Sequence, residues 1–356
     1  MEKKMNVGIM FGGRSGEHEV SLSSSYNVIN AIDRNKFDLT LIGITREGRW
    51  SIYTGDVEKI KEDTWEQDPN NRWDFSLFSD NDFNACDIFF PVMHGTFSED
   101  GTLQGLFEML DKPYVGCGVL ASSAAMDKCV FKVIMQSEHI PVAKGLTLYK
   151  SAILKDIEAQ CDEAEEEFDY PIFVKPANMG SSVGISKAHD RDELKEALME
   201  AIKYDTKLLL EEFIDGREIE IAALGNEDVQ ISYPGWIKPC HEFYDYEAKY
   251  LSGDDSEVVI PAPIPEEKVK EIQEYAKKAY IAIGGSGLSR IDFFLTNSDN
   301  RVILNEINTM PGFTNISMYP KLWDYCGVSY PDLIEKLIGL GLDRYKVRKE
   351  LLFKKQ

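Results

Sequence analysis

Basic residues are scarce in this 356-residue chain: 39 lysines and arginines face 61 aspartates and glutamates, for a net charge of −22. A surface so negative excludes nucleic acid or an anionic membrane as the main partner. Cysteine is sparse too. Positions 86, 117, 129, 161, 240 and 326 form no C-x-x-C pair, and Cys240 and His241 are adjacent rather than ligand-spaced, so neither a disulfide framework nor a cysteine metal site is expected. No secretory signal pattern and no apolar run of bilayer-spanning length is present, which points to reduced thiols in a cytoplasmic protein with no membrane partner. Neither G-x-x-x-x-G-K-[ST] nor G-x-G-x-x-G occurs at the glycine-rich turns, which removes the P-loop class and leaves dinucleotide binding without support. There is no internal repeat. What remains is an ordinary globular composition, 43% hydrophobic and 28% charged, with length enough for two or three domains and a buried core.

The stretch Arg290 to Ser317 organises the rest. Ile291, Phe293 and Leu295 alternate with Arg290, Asp292 and Phe294, the period of a strand. The turn formers Thr296 to Asn300 then lead into a second strand, RVILNEIN, on which Glu306 and Asn308 share a face. With the turn near Asp299, Asp292 falls opposite Glu306, and three oxygen donors converge. Hard oxygen donors of this kind suit Mg²⁺. A surface hairpin with scattered acids is the plainer reading, but these acids sit inside apolar strands, where unpaired charge is costly. The following turn, Met310-Pro-Gly-Phe-Thr314, can also aim backbone N–H groups at the same spot. The pattern is that of the metal end of an ATP site. In so acidic a chain, the lysines beside glycines must then supply the local positive field.

The N-terminus reads as strand, glycine turn and helix: MNVGIMFGG, then a stripe of Val20, Ser24, Val28, Ile29 and Ile32. Glu17 stands where the turn becomes the helix, and both helix capping and the holding of an ammonium remain open for it. LTLIGITREGRW and CDIFFPVM give two more strands, the second running into a polar loop with His94 and Glu99. Functional loops of open α/β sheets lie at the carboxyl ends of strands, where Glu17 and His94 both fall. Tyr114-Val-Gly-Cys-Gly-Val119 ends this part, and Ala121 to Met126 reads as a small-residue helix start.

Further on, Ile172-Phe-Val-Lys175-Pro176 reads as a strand ending at Lys175. Gly180-Ser-Ser-Val-Gly184 follows as a loop able to close over phosphate. DEAEEE at 162–167 reads as a solvated charge run, and Asp190 to Glu193 as a capping box opening an amphipathic helix. Two strands flank Asp215-Gly216. Beside them Glu211 and Glu218 are either acceptors for a purine amino group and ribose hydroxyls or exposed turn acids. The stretch from Trp236 to Pro265 shows no regular period, and a loop so long is usually functional; Lys249 and Tyr250 lie at its middle. Glu266 to Ile283 returns to a helical pattern, and the basic tail carries no chemical message.

GGRSGEHEVSL, HGTFSEDGTLQG, FVKPANMGSSVG, FYDYEAKY, SRIDFFL and NEINTMPGFT follow one another in this order. In these segments the chain resembles the ATP-grasp superfamily, and within it the D-alanine–D-alanine ligases, over essentially its whole length. The resemblance implies an α/β fold: an N-terminal Rossmann-like (pre-ATP-grasp) domain over 1–125, a central ATP-grasp subdomain over 126–216 and a C-terminal subdomain over 217–356. It implies ATP, two Mg²⁺ (or Mn²⁺), K⁺ as a possible activator, two D-alanines as substrates and a homodimer. Residue by residue, Glu17 would hold the first D-alanine's ammonium, fixed by a hydrogen-bonded trio with Ser181 and Tyr250, with His94 and Glu99 lining that subsite. Lys128, Lys175 and Ser182 would contact the phosphates and Lys249 the γ-phosphate, while Glu211, Phe213, Ile214 and Glu218 would contact adenine and ribose. Asp292, Glu306 and Asn308 would bind the metals, Arg290 and the Gly312 N–H would face the oxyanion, and Ser317 with Met318 would meet the second D-alanine. Phe213 stands where some relatives have tryptophan, and relatives vary at 315–318. The rivals are a ligase with D-serine or D-lactate at the second site and a non-catalytic nucleotide-binding module, which would have eroded metal ligands. A biotin-dependent carboxylase leaves Glu17 and the EFYDYEAKY loop unexplained. That loop carries Tyr246, Lys249 and Tyr250 instead of the histidine of ester-forming relatives, which favours a dipeptide product.

Overall fold

The computed structural model describes residues 3–73, 75–238, 257–314 and 316–352. Its strands form three sheets that follow one another along the chain. The first contains β1 (Met5–Gly12), β2 (Phe37–Ile44), β3 (Trp50–Tyr53), β4 (Asn71–Arg72) and β5 (Ile88–Pro91), in the order β4-β3-β2-β1-β5. β1 runs parallel to both β2 and β5, so the helix His18–Ala31 crosses over between parallel strands. It buries Val20, Ser24, Val28 and Ile29, the expected stripe. β1 is covered on both faces, as the unbroken apolar run NVGIMF requires. The loops leaving the carboxyl ends of β1 and β5 are therefore neighbours, and they carry Glu17 and His94.

The second sheet contains β6 (Gly145–Tyr149), β7 (Ile172–Pro176), β8 (Ser186–Ala188) and β9 (Lys207–Glu212), antiparallel in the order β6-β9-β7-β8. The helices Ile157–Glu167 and Arg191–Ala201 share its core. Asp190 caps the second helix by accepting from the Asp192 and Glu193 N–H groups, whereas the Glu193 carboxylate reaches back to the His189 N–H rather than to the cap residue itself. The charge run at 162–167 is not merely solvated. It ends a helix that buries Cys161 and Ala164, and Arg191 pairs with Glu158, Asp162 and Glu165 along its exposed side.

The third sheet contains β10 (Gly216–Gly225), β11 (Gln230–Ile231), β12 (Gly235–Lys238), β13 (Glu257–Val259), β14 (Gly287–Thr296) and β15 (Val302–Asn308). Its order is β13-β12-β10-β14-β15, with β11 beside β10. The strands on either side of Asp215-Gly216 thus belong to different sheets, and the chain passes from one to the other at that point. The aperiodic stretch from Trp236 is corrected at both ends: Trp236, Ile237 and Lys238 pair antiparallel with Val259, Val258 and Glu257. Cross-strand pairing supplies the order that local periodicity does not. Residues 239–256 between them, including Cys240, His241, Tyr246, Lys249 and Tyr250, lie outside the described residues.

One core crosses these boundaries. Val7, Ile9 and Phe11 of β1 share a cluster with Ala222 and Leu224 of β10 and with Leu333, Ile334 and Leu337 of the helix Tyr330–Lys349.

Candidate active site

Glu17 sits at the N-terminal boundary of the helix His18–Ala31, yet its side chain makes no capping hydrogen bond. The carboxylate turns instead toward the second sheet and accepts from the Ser181 hydroxyl. Two glycines leave the space it needs. A Cβ at Gly95, whose φ is +74°, would overlap Glu17 Oε2, and one at Gly180 would lie 2.9 Å from the same atom. Ser15 ties the two N-terminal loops together, donating to the His94 carbonyl at 2.7 Å and accepting from the Glu17 N–H at 3.2 Å. Ser181 and Ser182 have φ of +49° and +61°, so both central residues of the Gly180–Val183 turn are left-handed without being glycine.

Asp292 and Glu306 face each other across β14 and β15, and Arg290 faces Asn308. The register then slips: Phe293 pairs with Leu304, leaving Asn305 as an extra residue. Without this bulge, Leu304 and Glu306 would share a face, and the acid would point into the core beside Val302. With it, Leu304 joins the core while Glu306 and Asn308 reach the site. The fully buried Asp292 accepts from Arg290 Nε and Nη2 at 2.8 and 2.7 Å and from the Asn308 amide at 3.0 Å. On β10, Glu220 lies directly opposite Asp292, and its carboxylate is 3.0 Å from Arg290 Nε. Glu220 is a site residue that the sequence alone does not single out. Its signal was an acid at alternate spacing from Glu218 within an apolar strand.

Beyond this lies a cavity of about 550 Å³ between the second and third sheets. Lys175, Ser182, Glu211, Phe213, Ile214 and Glu218 all line it. Glu211 is buried rather than an exposed turn acid. Lys175 ion-pairs with it from β7, and Lys132 from the helix Lys128–Ser137 at 2.5 Å. Burial pushes its carboxyl upward, but the two ammonium groups outweigh burial and draw it down to about 2. Lys132 stands one helical turn from Lys128, its only signature in the sequence. Lys128 donates to the Met179 carbonyl at 2.7 Å and thereby holds the start of the glycine loop. Phe213 is half exposed, with the Lys187 ammonium 4.2 Å from its ring centre.

His94 and Glu99 join the first sheet to the turn after β15. The Met310 carbonyl can only accept, so His94 Nδ1 carries the proton in that 2.8 Å bond. Nε2 then accepts from Ser24, whose oxygen accepts from the Phe313 N–H. Burial lowers the ring to about 4, which keeps it neutral. The Glu99 carboxylate accepts from the Gly95 and Met310 N–H groups at 2.7 and 2.9 Å. Burial first, and the charge of Glu17 second, raise it above the ordinary carboxylate range. Glu99 lines a small cavity of about 50 Å³ with Glu17, Arg290, Glu306 and Asn308, whereas His94 lies behind that wall. Gly312 is buried next to Ser317, whose hydroxyl closes the turn on Thr314 at 3.0 Å. The Met318 side chain is in the core, so only its backbone is left to face a ligand.

Oxygen atoms of Glu218, Glu220 and Asp292 lie within 4.8 Å of one another, with Glu306 across the ladder from Asp292. The donors are all hard oxygens, and Asp292 Oδ1 keeps one lone pair beside its arginine bond. Asp292 and Glu306, with the Asn308 amide oxygen on the same strand face, fit a divalent cation of the Mg²⁺ class, and Glu218 and Glu220 add negative charge beside them.

The family model for the D-ala D-ala ligase N-terminus matches residues 6–117, and that for the D-ala D-ala ligase C-terminus matches residues 134–339. A D-alanine–D-alanine ligase of Acetivibrio thermocellus is 49% identical, covering 97% of this chain and 98% of its own. One of Enterococcus faecalis is 47% identical over 96% of this chain and 100% of its own. Among solved structures, the D-alanine-D-alanine ligase of Coxiella burnetii superposes with a TM-score of 0.85 at 34% identity, over 98% of this chain and 96% of that one. The VanG D-Ala:D-Ser ligase of Enterococcus faecalis does so with a TM-score of 0.82 at 38% identity, over 95% and 100%. Those solved ligases have the ATP-grasp fold. The carboxylate nest at Glu17, the acidic hairpin and the lysine-walled cavity therefore sit in a chain that belongs to the D-alanine–D-alanine ligase family.

Proposed function

We propose that this protein joins two D-alanines into D-alanyl-D-alanine at the expense of ATP, a step of peptidoglycan precursor synthesis. The observation that carries the reading is a shared wall. The small cavity holding Glu17 and Arg290 and the large one holding Lys175 and Glu211 have Lys128, Gly180, Ser181 and Glu306 in common. An amino acid on one side thus presents its carboxylate to a nucleotide's phosphate end on the other.

Glu17, steadied by Ser181, holds the ammonium of the first D-alanine. A carboxylate oxygen of that D-alanine attacks the γ-phosphorus, the bond to ADP breaks, and a D-alanyl phosphate forms. Lys128, Lys175 and Ser182 orient the phosphates, while Glu211, Phe213, Ile214 and Glu218 take the base and ribose. Asp292, Glu306 and Asn308 would hold two Mg²⁺ ions, which when bound neutralise phosphate charge. The amine of the second D-alanine, placed by Ser317 and the Met318 backbone, attacks the acyl carbon. Arg290 and the Gly312 N–H stabilise the tetrahedral oxyanion, inorganic phosphate leaves, and the amine proton is lost to solvent. Lys249 and Tyr250 belong to the same proposal but lie outside the described residues. The residues 1–125, 126–216 and 217–356 form its three units, since each contains one sheet in all but the first residue of β10.

Among the described residues no helix is long and apolar enough to cross a membrane. We place the enzyme in the cytoplasm as a homodimer that accepts Mn²⁺ for Mg²⁺ and responds to K⁺; light scattering and cation substitution check these points. The decisive test is product analysis with D-alanine, D-serine and D-lactate at equal concentration. D-alanyl-D-alanine is expected to dominate, its rate rising from about pH 6 to about 8.5 as free amine is released. Mostly D-alanyl-D-serine, or mostly ester at neutral pH, would move the chain to a different second-site specificity.

A further inference from the structure

Lys132 is a buried cation that none of the steps above uses. It leaves the helix Lys128–Ser137, donates to the Ala143 carbonyl at 2.7 Å and ends 2.5 Å from Glu211 Oε1. Lys175 holds the other oxygen of the same carboxylate. The two lysines are not equivalent. Lys175 lines the large cavity together with Glu211, whereas Lys132 lies behind that wall with 7% of its side chain exposed. The β6 strand is shaped around it. Gly145 is the register partner of Glu211, and a Cβ there would come within 3.1 and 3.3 Å of the Lys132 Cδ and Cε. The missing side chain gives the lysine stem its path to the carboxylate.

We propose that Lys132 is a positioning residue for nucleotide binding, a fixed counter-ion that keeps Glu211 charged and in place when Lys175 swings from it to the nucleotide phosphates. The inference rests on the reading of the large cavity as the nucleotide site. A buried carboxylate that lost its only cation would be left uncompensated or would take up a proton. Two cations on one anion remove that conflict, because one can leave. Among the described residues the charged groups facing Glu211 are Lys132 from the helix and Lys175 from β7; these two ammonium groups are also what hold its carboxyl far below the usual range. The adenine amino group then meets an ionised acceptor, and Lys175 is released without loss of the charge balance behind it.

The test is calorimetric titration of the full-length protein with Mg²⁺ and a non-hydrolysable ATP analogue, in two buffers of different ionisation enthalpy. Wild type should bind with no proton uptake at Glu211. Lys132→Met should bind about tenfold or more weakly, take up close to one proton per nucleotide, and keep its unliganded fold because Lys175 still pairs with Glu211. Binding equal to wild type with the same proton count would overturn the proposal. No nucleotide binding by wild type would instead sink the reading of the cavity on which it rests. Should Lys132→Met not fold, the double variant E211Q/K132M, which removes the buried carboxylate charge together with the hidden cation behind it, carries the test against E211Q alone. Equal affinities of those two support a role through the Glu211 charge, and a further loss in the double variant refutes it.

Discussion

At Gly95 a single methyl group is enough to evict the Glu17 carboxylate from its place, since the added Cβ would overlap Oε2 and the backbone is left-handed there. Gly95→Ala is therefore expected to lower kcat/KM for D-alanine by about 100-fold or more through misplacement of about an ångström, while nucleotide binding stays near wild type. Steady-state kinetics beside nucleotide titration would separate the two. Glu306→Gln should abolish turnover with the fold intact, as it removes one carboxylate charge from the proposed metal end; wild-type turnover at ordinary Mg²⁺ would argue against that assignment. At this scale the sequence was most informative where charge interrupts an apolar pattern. Asp292, Glu306, Asn308 and Lys175 stand out because each is a polar group inside an apolar strand, although periodicity alone does not give Glu306 and Asn308 their face. Lys132 and Glu220 do not, because a single polar residue on a helix or strand looks solvated until tertiary packing buries it. The capping role open to Glu17 was decided by contact with Ser181, a residue 164 positions away.

Elements add what pairing alone can decide. The bulge at Asn305 reconciles a strand whose strict alternation would place Val302, Leu304, Glu306 and Asn308 on one face. The hint was a break in phase from apolar to polar, but only β14 shows where the extra residue falls. Deleting Asn305 should restore a regular ladder, turn Glu306 toward the core, and abolish Mg²⁺-dependent nucleotide binding, as read by titration. The seam through His94 gives a pH prediction. The unfolded chain protonates this ring below about 6.5, but the folded chain does so only near 4. Protons thus bind the unfolded state more, and stability falls as pH drops through that window, by on the order of 3 kcal/mol at its lower end. Urea midpoints of wild type and His94→Gln between pH 7 and pH 4 should diverge, with the acid-side loss specific to His94 missing in the variant. The strands Gly235–Lys238 and Glu257–Val259 make the same point from the other side. Each is too short to announce itself, and each is ordered by a partner.

For the whole molecule, the α/β class and the order of its parts could be read from the chain, because strand and helix periods alternate. How the parts share a core could not. Phe11 on β1, Leu224 on β10 and Leu337 near the C-terminus occupy one cluster, a relation with no local signature. A fragment of residues 1–125 should accordingly fail to fold alone, giving poor near-ultraviolet dichroism and strong dye binding; a cooperative melt of that fragment would contradict the shared core. There is a consequence for synthesis. β1 is synthesised well before the helix Tyr330–Lys349 that closes its cluster. Until that helix emerges, the nascent chain carries an open apolar sheet edge-on to water, the condition that favours aggregation. A stop codon shortly before that helix would remove no proposed catalytic group, yet it should yield aggregate rather than a weakened ligase.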